Sequence, residues 1–385
     1  SHGRFLMRIL QLVANLDYGG LERLAIGLAR QQRAAGHEAA ICCLTHEGAL
    51  ADEARESGIE VAALDKKPGF SPLTLLKLAR ILRRGRIDVL HTHNAVVHHY
   101  GAAAARLAGV PVVVNTRHGF GGRQWDSRRE RLFRSVMRWT GAVVFVSDDL
   151  RREFVSFGGV PEHKARVITN GIDFDRFAAM RARPGSCRSR FRIGTVGRMV
   201  PVKDHATLVS AFAEVAAAVP NAELHIVGDG PEKPRVASLV AAYGLWDRVV
   251  LHGFSNATAQ FLSSLDVFAL SSLSEGLPLA VLEAMAAGLP IVSTRLEGVE
   301  AVAPEGEFGF YAEPGDASGL AKAMIALARE PRIGAIGEAA HRAARRYGME
   351  GAWRQYEAVF RGLLEGESAG AAPAGAAPAT TAKCA

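Results

Sequence analysis

SEGLPLAVLEAMAAGLPIVST, residues 274–294, joins a loop, a short helix and a strand, and sets two carboxylates, Glu275 and Glu283, on either side of the helix start. Pro278 reads as the first helical residue, where its fixed φ suits the helix and its missing N–H costs nothing. Ala280–Ala287 holds good helix formers without a breaker, and Gly288 followed by Pro290 reads as the stop. Ile291–Thr294 has the β-branched content of a buried strand. A helix start offers free N–H groups and partial positive charge, so it seats polar or anionic ligands. Two carboxylates beside that seat can grip sugar or ribose hydroxyls. The plainer alternative has Glu275 capping the helix and Glu283 solvated on its surface.

Outward from this stretch the same grammar repeats. Arg8–Ala14 is an apolar strand, followed by a loop through Gly19-Gly20, the helix Leu21–Ala35 and the strand Glu38–Leu44. That is a βαβ unit of a parallel sheet. Further strands are expected at Val61–Leu64, Val89–His91, Val112–Asn115 and Ala142–Val146. A second start occurs at Arg192–Val196, with a loop through Gly197, Arg198 and Lys203, a helix near His205–Ala218 and the strand Glu223–Val227. Strands near Val249–Leu251, Val267–Leu270 and Ile291–Ser293 follow. The fold class is therefore α/β, with two doubly wound, Rossmann-like domains, 4–170 and 190–350, around a linker region 171–189. Ligands of such sheets bind beyond the C-terminal strand ends, so facing domains share a cleft.

With 385 residues the chain exceeds one ordinary core, and 49% hydrophobic with 22% charged residues describes a well-packed globular protein. No uncharged apolar run reaches the ~18 residues of a membrane span, and no N-terminal signal pattern appears. Cys42, Cys43, Cys187 and Cys384 have no disulfide or metal spacing, which points to a reducing, cytoplasmic compartment. The net charge of +7 is uneven: 25 Lys+Arg against 16 Asp+Glu put +9 in residues 1–170, leaving −2 in the rest. A basic first half suggests an anionic partner: nucleic acid, a membrane surface or a phosphorylated acceptor.

The segment Ser274–Thr294, with Glu275 and Glu283, resembles the E-x7-E motif of family 4 glycosyltransferases. The resemblance implies the two-domain GT-B architecture, a nucleoside diphosphate sugar as donor and transfer with retention at the anomeric carbon. The loop GTVGRMVPVKDHATLVSAF is similar to the family's G-R-x5-K pattern, which implies that Gly197, Arg198 and Lys203 hold the donor diphosphate as it leaves. The resemblance further implies that Glu283 grips the ribose, and that Glu275 with the backbone of Gly276, Leu277, Pro278 and Leu279 holds the donor sugar. The loop at Gly253 and Phe254 would lie against the base, His118 of NTRHGF against the sugar, and Gly19-Gly20 where backbone approaches phosphate or acceptor. It also implies a helix, 351–365, returning to the first domain. Glu275, His118, Arg198 and Lys203 are the catalytic candidates, with no metal and no cofactor beyond the donor, a UDP-sugar before a GDP-sugar. Gly228-Asp229-Gly230 reads equally as a tight turn or a ligand contact.

Two metal-like signals are set aside. His91, His93 and Asn94 fit no zinc spacing, and Asp173-Phe174-Asp175 sits in a turn leaving the first domain. No GxGxxG follows either first strand, which counts against a dehydrogenase. Arg123–Trp139, RQWDSRRERLFRSVMRW, reads as a basic amphipathic helix for an anionic bilayer, or as an ordinary helix with a core face; Lys77–Arg86 adds a second basic helix. The tail 366–385, rich in Ala, Pro and Gly, should be disordered.

The expectation is a glycosyltransferase moving a hexose or N-acetylhexosamine to a lipid-linked, lipopolysaccharide or other glycan acceptor, cytoplasmic and peripheral on the inner membrane face. A GT-B-fold nucleotide-sugar 2-epimerase and a non-catalytic nucleotide-sugar-binding module are the alternatives. Nucleic acid is not expected, because the basic residues interleave with helical apolar faces rather than an RNA-binding motif.

Overall fold

Among the described residues thirteen short strands, most of them apolar, assemble into two all-parallel sheets. The computed structural model of the chain describes residues 6–119, 128–185 and 189–366. The first sheet contains β1 (Arg8–Val13), β2 (Glu38–Cys43), β3 (Glu60–Ala63), β4 (Val89–His93), β5 (Val112–Arg117), β6 (Ala142–Phe145) and β7 (Ala165–Val167). Its order is β3-β2-β1-β4-β5-β6-β7. The second contains β8 (Phe191–Val196), β9 (Ala222–Val227), β10 (Val249–Gly253), β11 (Val267–Leu270), β12 (Ile291–Thr294) and β13 (Gly309–Ala312), in the order β10-β9-β8-β11-β12-β13. Helices cover both faces, which is why β5, β6, β11 and β12 are buried along their whole length.

Both strand orders reverse direction once, between β1 and β4 and between β8 and β11. Such switch points open a crevice beyond the strand ends, because successive crossovers leave in opposite directions. The loops after β1, β8 and β11 carry Gly19-Gly20, Gly197–Lys203 and Ser271–Glu275. Topology alone thus brings the glycine loops and the first carboxylate to crevice mouths.

The second crossing of the chain lies beside the first. Ile172 N–H donates to Tyr347 O and Met349 N–H to Ile172 O, both at 2.9 Å. The helix Met349–Leu364 then packs Trp353, Tyr356 and Phe360 against Ile9, Val89 and Val114 of the first sheet. A Cβ on Gly27 would come within 2.5 Å of Met349 Cε, so glycine lets the first helix, Gly20–Ala34, lie close to the returning helix at this point.

Several expectations change. Pro278 sits one residue before the helix Leu279–Ala286, with ψ 123 in the extended region, and Gly288 ends the segment at φ +84. The basic stretch 123–139 is not one helix: its described part is a helix, Arg128–Ser135, and a 3-10 turn, Met137–Trp139. Phe133, Val136 and Met137 are buried in hydrophobic clusters, so their apolar face already has a partner. The expected linker contains a helix, Phe174–Ala178, capped by Asp173 Oδ1 accepting from Arg176 N–H at 3.3 Å. Residues 1–5, 120–127, 186–188 and 367–385, nearly all of the expected tail, lie outside the described residues. No helix among the described residues is long and apolar enough to cross a membrane.

Candidate active site

Backbone hydrogen bonds hold the loop after β8 against the turn after β9. Met199 N–H donates to Asp229 O at 2.9 Å and Glu232 N–H to Met199 O at 3.0 Å. Gly228 and Gly230, at φ +145 and +154, lie so close that a Cβ would fall 1.8 Å from Gly197 O and 2.4 Å from Met199 O. The Gly-Asp-Gly segment is therefore a turn that buttresses the loop, with Asp229 bound to Lys233 at 2.8 Å. Pro201–Lys203 forms a 3-10 turn tied to the loop after β11: Ser271 Oγ donates to Lys203 O at 3.0 Å, and Leu273 N–H to Val202 O at 2.8 Å.

That tie brings Lys203 Nζ onto Glu275 Oε1 as an ion pair, and Ser272 Oγ donates to the same oxygen at 2.9 Å. Glu275 is thus engaged with Ser272 and Lys203 and does not cap the following helix. No side chain among the described residues caps the start at Leu279, which leaves the helix's positive end without a side-chain partner.

The first domain closes over this point. A Cβ on Gly276 would be 2.8 Å from His118 O and 2.9 Å from Val146 Cγ2, and one on Gly20 would be 3.1 Å from Leu279 Cδ1. Asn170 Nδ2 donates to Leu277 O at 3.0 Å. His118 lies past the end of β5, its ring stacked on His93 at 5.4 Å, and its backbone N–H donates to Asn94 Oδ1 at 3.3 Å. Burial pushes its imidazole down to about 3, with the Arg117 charge adding to the shift. A cavity of about 610 Å³ adjoins Glu275, lined by Asp149 and Arg152 of the first domain and Ser274, Arg295 and Glu297 of the second.

Glu283 lies one turn further along this helix. Burial pushes its carboxyl up to about 7, while the charges of Arg23, from the first helix, and Arg176 pull it down. Arg23 and Arg176 reach across to Asn256 at 3.4 and 3.1 Å. Nearby, the Tyr18 and Phe254 rings pack tilted at 32° with 3.9 Å between centroids, and Asn256 Nδ2 donates to Tyr18 OH at 3.3 Å. Gly253, at φ +68, turns β10 into this contact. Arg198 is exposed and acts electrostatically on Glu22, whose carboxyl is raised by burial and lowered by that charge.

Residues 18–176 match the family described as Glycosyltransferase Family 4, and residues 190–330 match that described as Glycosyl transferases group 1. The chain belongs to glycosyltransferase family 4. Among its relatives is UDP-Gal:alpha-D-GlcNAc-diphosphoundecaprenol alpha-1,3-galactosyltransferase of Escherichia coli, 29% identical over 66% of this chain and 69% of that one. Another is N-acetyl-alpha-D-glucosaminyl L-malate synthase of Bacillus anthracis, 29% identical over 79% and 82%. HepE of Anabaena, solved in complex with UDP and glucose, superposes with a TM-score of 0.81 at 21% identity, over 92% of this chain and 99% of that one. This likeness, with the two facing parallel sheets, makes the fold GT-B.

In this family 4 member the predicted residues form two groups. Lys203, Glu275, Gly276, Leu277 and the helix start meet His118 at one end of the crevice. Glu283, Gly253 and Phe254 meet Tyr18, Arg23 and Arg176 toward the other. Gly19-Gly20 lie between the domains, against Glu22 and Leu279. Sequence reading missed Tyr18, Glu22, Arg23, Arg176, Asn256 and Ser272. Only Glu22 carried a signal, a carboxylate inside an otherwise apolar and basic helix start just after Gly19-Gly20.

Proposed function

We propose that the chain moves a hexose or N-acetylhexosamine from a nucleoside diphosphate sugar to a lipid-linked, lipopolysaccharide or other glycan acceptor, with retention and without a metal ion. One observation carries the reading. Lys203, Glu275 and the uncapped start at Leu279 converge beside His118, so cationic, anionic and backbone N–H groups share one crevice end. Arg198, Lys203 and the helix start neutralise the departing diphosphate. Glu275 accepts hydrogen bonds from sugar hydroxyls, His118 contacts the sugar, and Glu283 binds the ribose. The acceptor hydroxyl attacks the anomeric carbon on the face the diphosphate leaves, and its proton passes to the departing phosphate oxygen. The Escherichia coli relative, named for UDP-galactose, favours a UDP-sugar over a GDP-sugar.

The anionic-membrane contact in this reading runs through the helix Pro72–Arg84 rather than through 123–139. Phe70, Leu73 and Leu76 are 71%, 62% and 53% exposed. From Lys66 to Arg86 there are seven cations and no Asp or Glu. Apolar side chains among unopposed cations match an anionic lipid surface.

Thermal shift with UDP, GDP and ADP, followed by hydrolysis of the matching nucleotide sugars, tests the function. UDP stabilisation with loss of hydrolysis in Glu275→Ala is expected; no response to any nucleotide overturns it.

A further inference from the structure

Behind His118 runs a chain of buried polar contacts that the donor-site residues do not use. His118 Nε2 lies 3.1 Å from His93 Nδ1, and His93 Nε2 lies 2.7 Å from Gln11 Oε1. Gln11 sits on β1, His93 at the end of β4 and His118 just past β5, so the chain crosses the switch point of the first sheet. Gln11 is fully buried and His93 almost so. His93 cannot swing away: its ring lies 4.4 Å from that of His91, which contacts Thr116 Oγ1 at 2.7 Å, and Thr116 in turn meets Tyr356 OH of the returning helix at 3.0 Å.

The direction of these hydrogen bonds follows from the acceptor at one end. An amide oxygen can only accept, so His93 Nε2 carries a proton. Burial holds both imidazoles neutral, which leaves His93 Nδ1 a bare acceptor. His118 Nε2 must then be the donor across the 3.1 Å contact, and its Nδ1 keeps the lone pair.

We infer that Gln11 and His93 are positioning residues that fix the proton of His118 on Nε2, so that His118 meets the donor sugar as a hydrogen-bond acceptor through Nδ1. The inference rests on the functional reading above for the sugar, but not for the tautomer. An acceptor nitrogen selects a sugar hydroxyl that can donate to it, and a substituent lacking that proton leaves the nitrogen unpaired. Turning the Gln11 amide by half a turn would reverse every donor in the chain and present N–H to the sugar instead.

The test uses the full chain with ¹⁵N-labelled histidine, the His118 signals being those lost in His118→Asn. The expected result is a single His118 tautomer protonated on Nε2. Gln11→Met, similar in volume and unable to accept strongly, should give a mixture of tautomers, with kcat down about tenfold, the scale of one hydrogen bond, and donor KM within about twofold. Should that variant unfold on thermal melting, His93→Asn breaks the chain from its middle, because its amide cannot reach both neighbours. A wild-type proton on Nδ1, or an unchanged His118 tautomer in a folded Gln11→Met, overturns the inference. So does a scrambled tautomer with wild-type kcat. If the wild type turns over no nucleotide sugar, the functional reading fails while the tautomer result stands.

Discussion

Lys203 Nζ and Glu275 Oε1 form an ion pair between the loops that follow β8 and β11, the two strands at the switch point of the second sheet. Both side chains are largely shielded, at 20% and 17% exposure. Each is the other's partner, so the proposed function requires a bound diphosphate to draw Lys203 toward itself and leave Glu275 to Ser272 and the sugar.

Opposite effects of the two neutral variants follow. Lys203→Ala should weaken UDP by about ten- to a hundredfold, the value of a shielded charge-assisted contact. Glu275→Gln keeps an acceptor for Ser272 and frees Lys203, so UDP should bind at least as tightly while sugar transfer is lost. Calorimetry with UDP and a transfer assay separate the two; equal affinity of Lys203→Ala and wild type would sink the diphosphate role.

Gly228 tests whether the Gly-Asp-Gly turn acts through the loop it supports. A Cβ there meets Gly197 O at 1.8 Å, and backbone cannot yield as a flexible side chain would. Gly228→Ala should displace the Gly197–Lys203 loop and abolish detectable UDP binding, with a stability loss of about 1–3 kcal/mol from overpacking. Denaturant unfolding beside calorimetry checks it. Wild-type UDP affinity in a folded Gly228→Ala would contradict the buttress.

The paired-sheet architecture was legible because strand, glycine loop and helix recur twice with long apolar runs. The strands β7 and β13 were not. Ala165–Val167 is three residues with a central Arg, and Gly309–Ala312 opens on glycine, so neither gives an apolar run. The stretch 123–139 misled for a different reason: periodicity fixes an apolar face but not what covers it, and Phe133 turned out to be core. Glu275 and Glu283 stood out through the resemblance of their spacing to the family's E-x7-E motif, since a generic pair at a helix start reads equally well as a cap and a solvated residue. Arg23, Arg176 and Asn256 could not, since they meet only across the interdomain crevice.

Glu283 gives the protein a pH signature. Its folded-state value of about 7 lies above the ordinary 4.5, so the folded protein holds this proton more tightly than the unfolded chain. Below pH 4.5 both states are protonated and the group is neutral to stability. As pH rises from 4.5 to 7 the unfolded state ionises first, and stability falls. Glu283→Gln removes that penalty: its melting temperature should exceed the wild type's at pH 8 and match it near pH 4. An equal difference at both pH values would show that the carboxyl is not raised.

The exposed row on Pro72–Arg84 separates lipid binding from the helix first suspected. Ser71 caps this helix, its Oγ accepting from Thr74 N–H at 3.2 Å, and Leu78 and Leu82 face the core, so Leu73 and Leu76 can be changed without unmaking it. Burying two leucines in the headgroup region contributes about 1.5–3 kcal/mol each at most. Leu73→Ser with Leu76→Ser should therefore release the protein from vesicles containing anionic lipid by tenfold or more at fixed salt. Lys77→Gln with Arg80→Gln should weaken binding by about 1 kcal/mol per charge and flatten its salt dependence. Arg131→Gln with Arg134→Gln, beside the buried Phe133, should leave flotation unchanged. Loss of binding in that last pair alone would return the contact to the stretch 123–139.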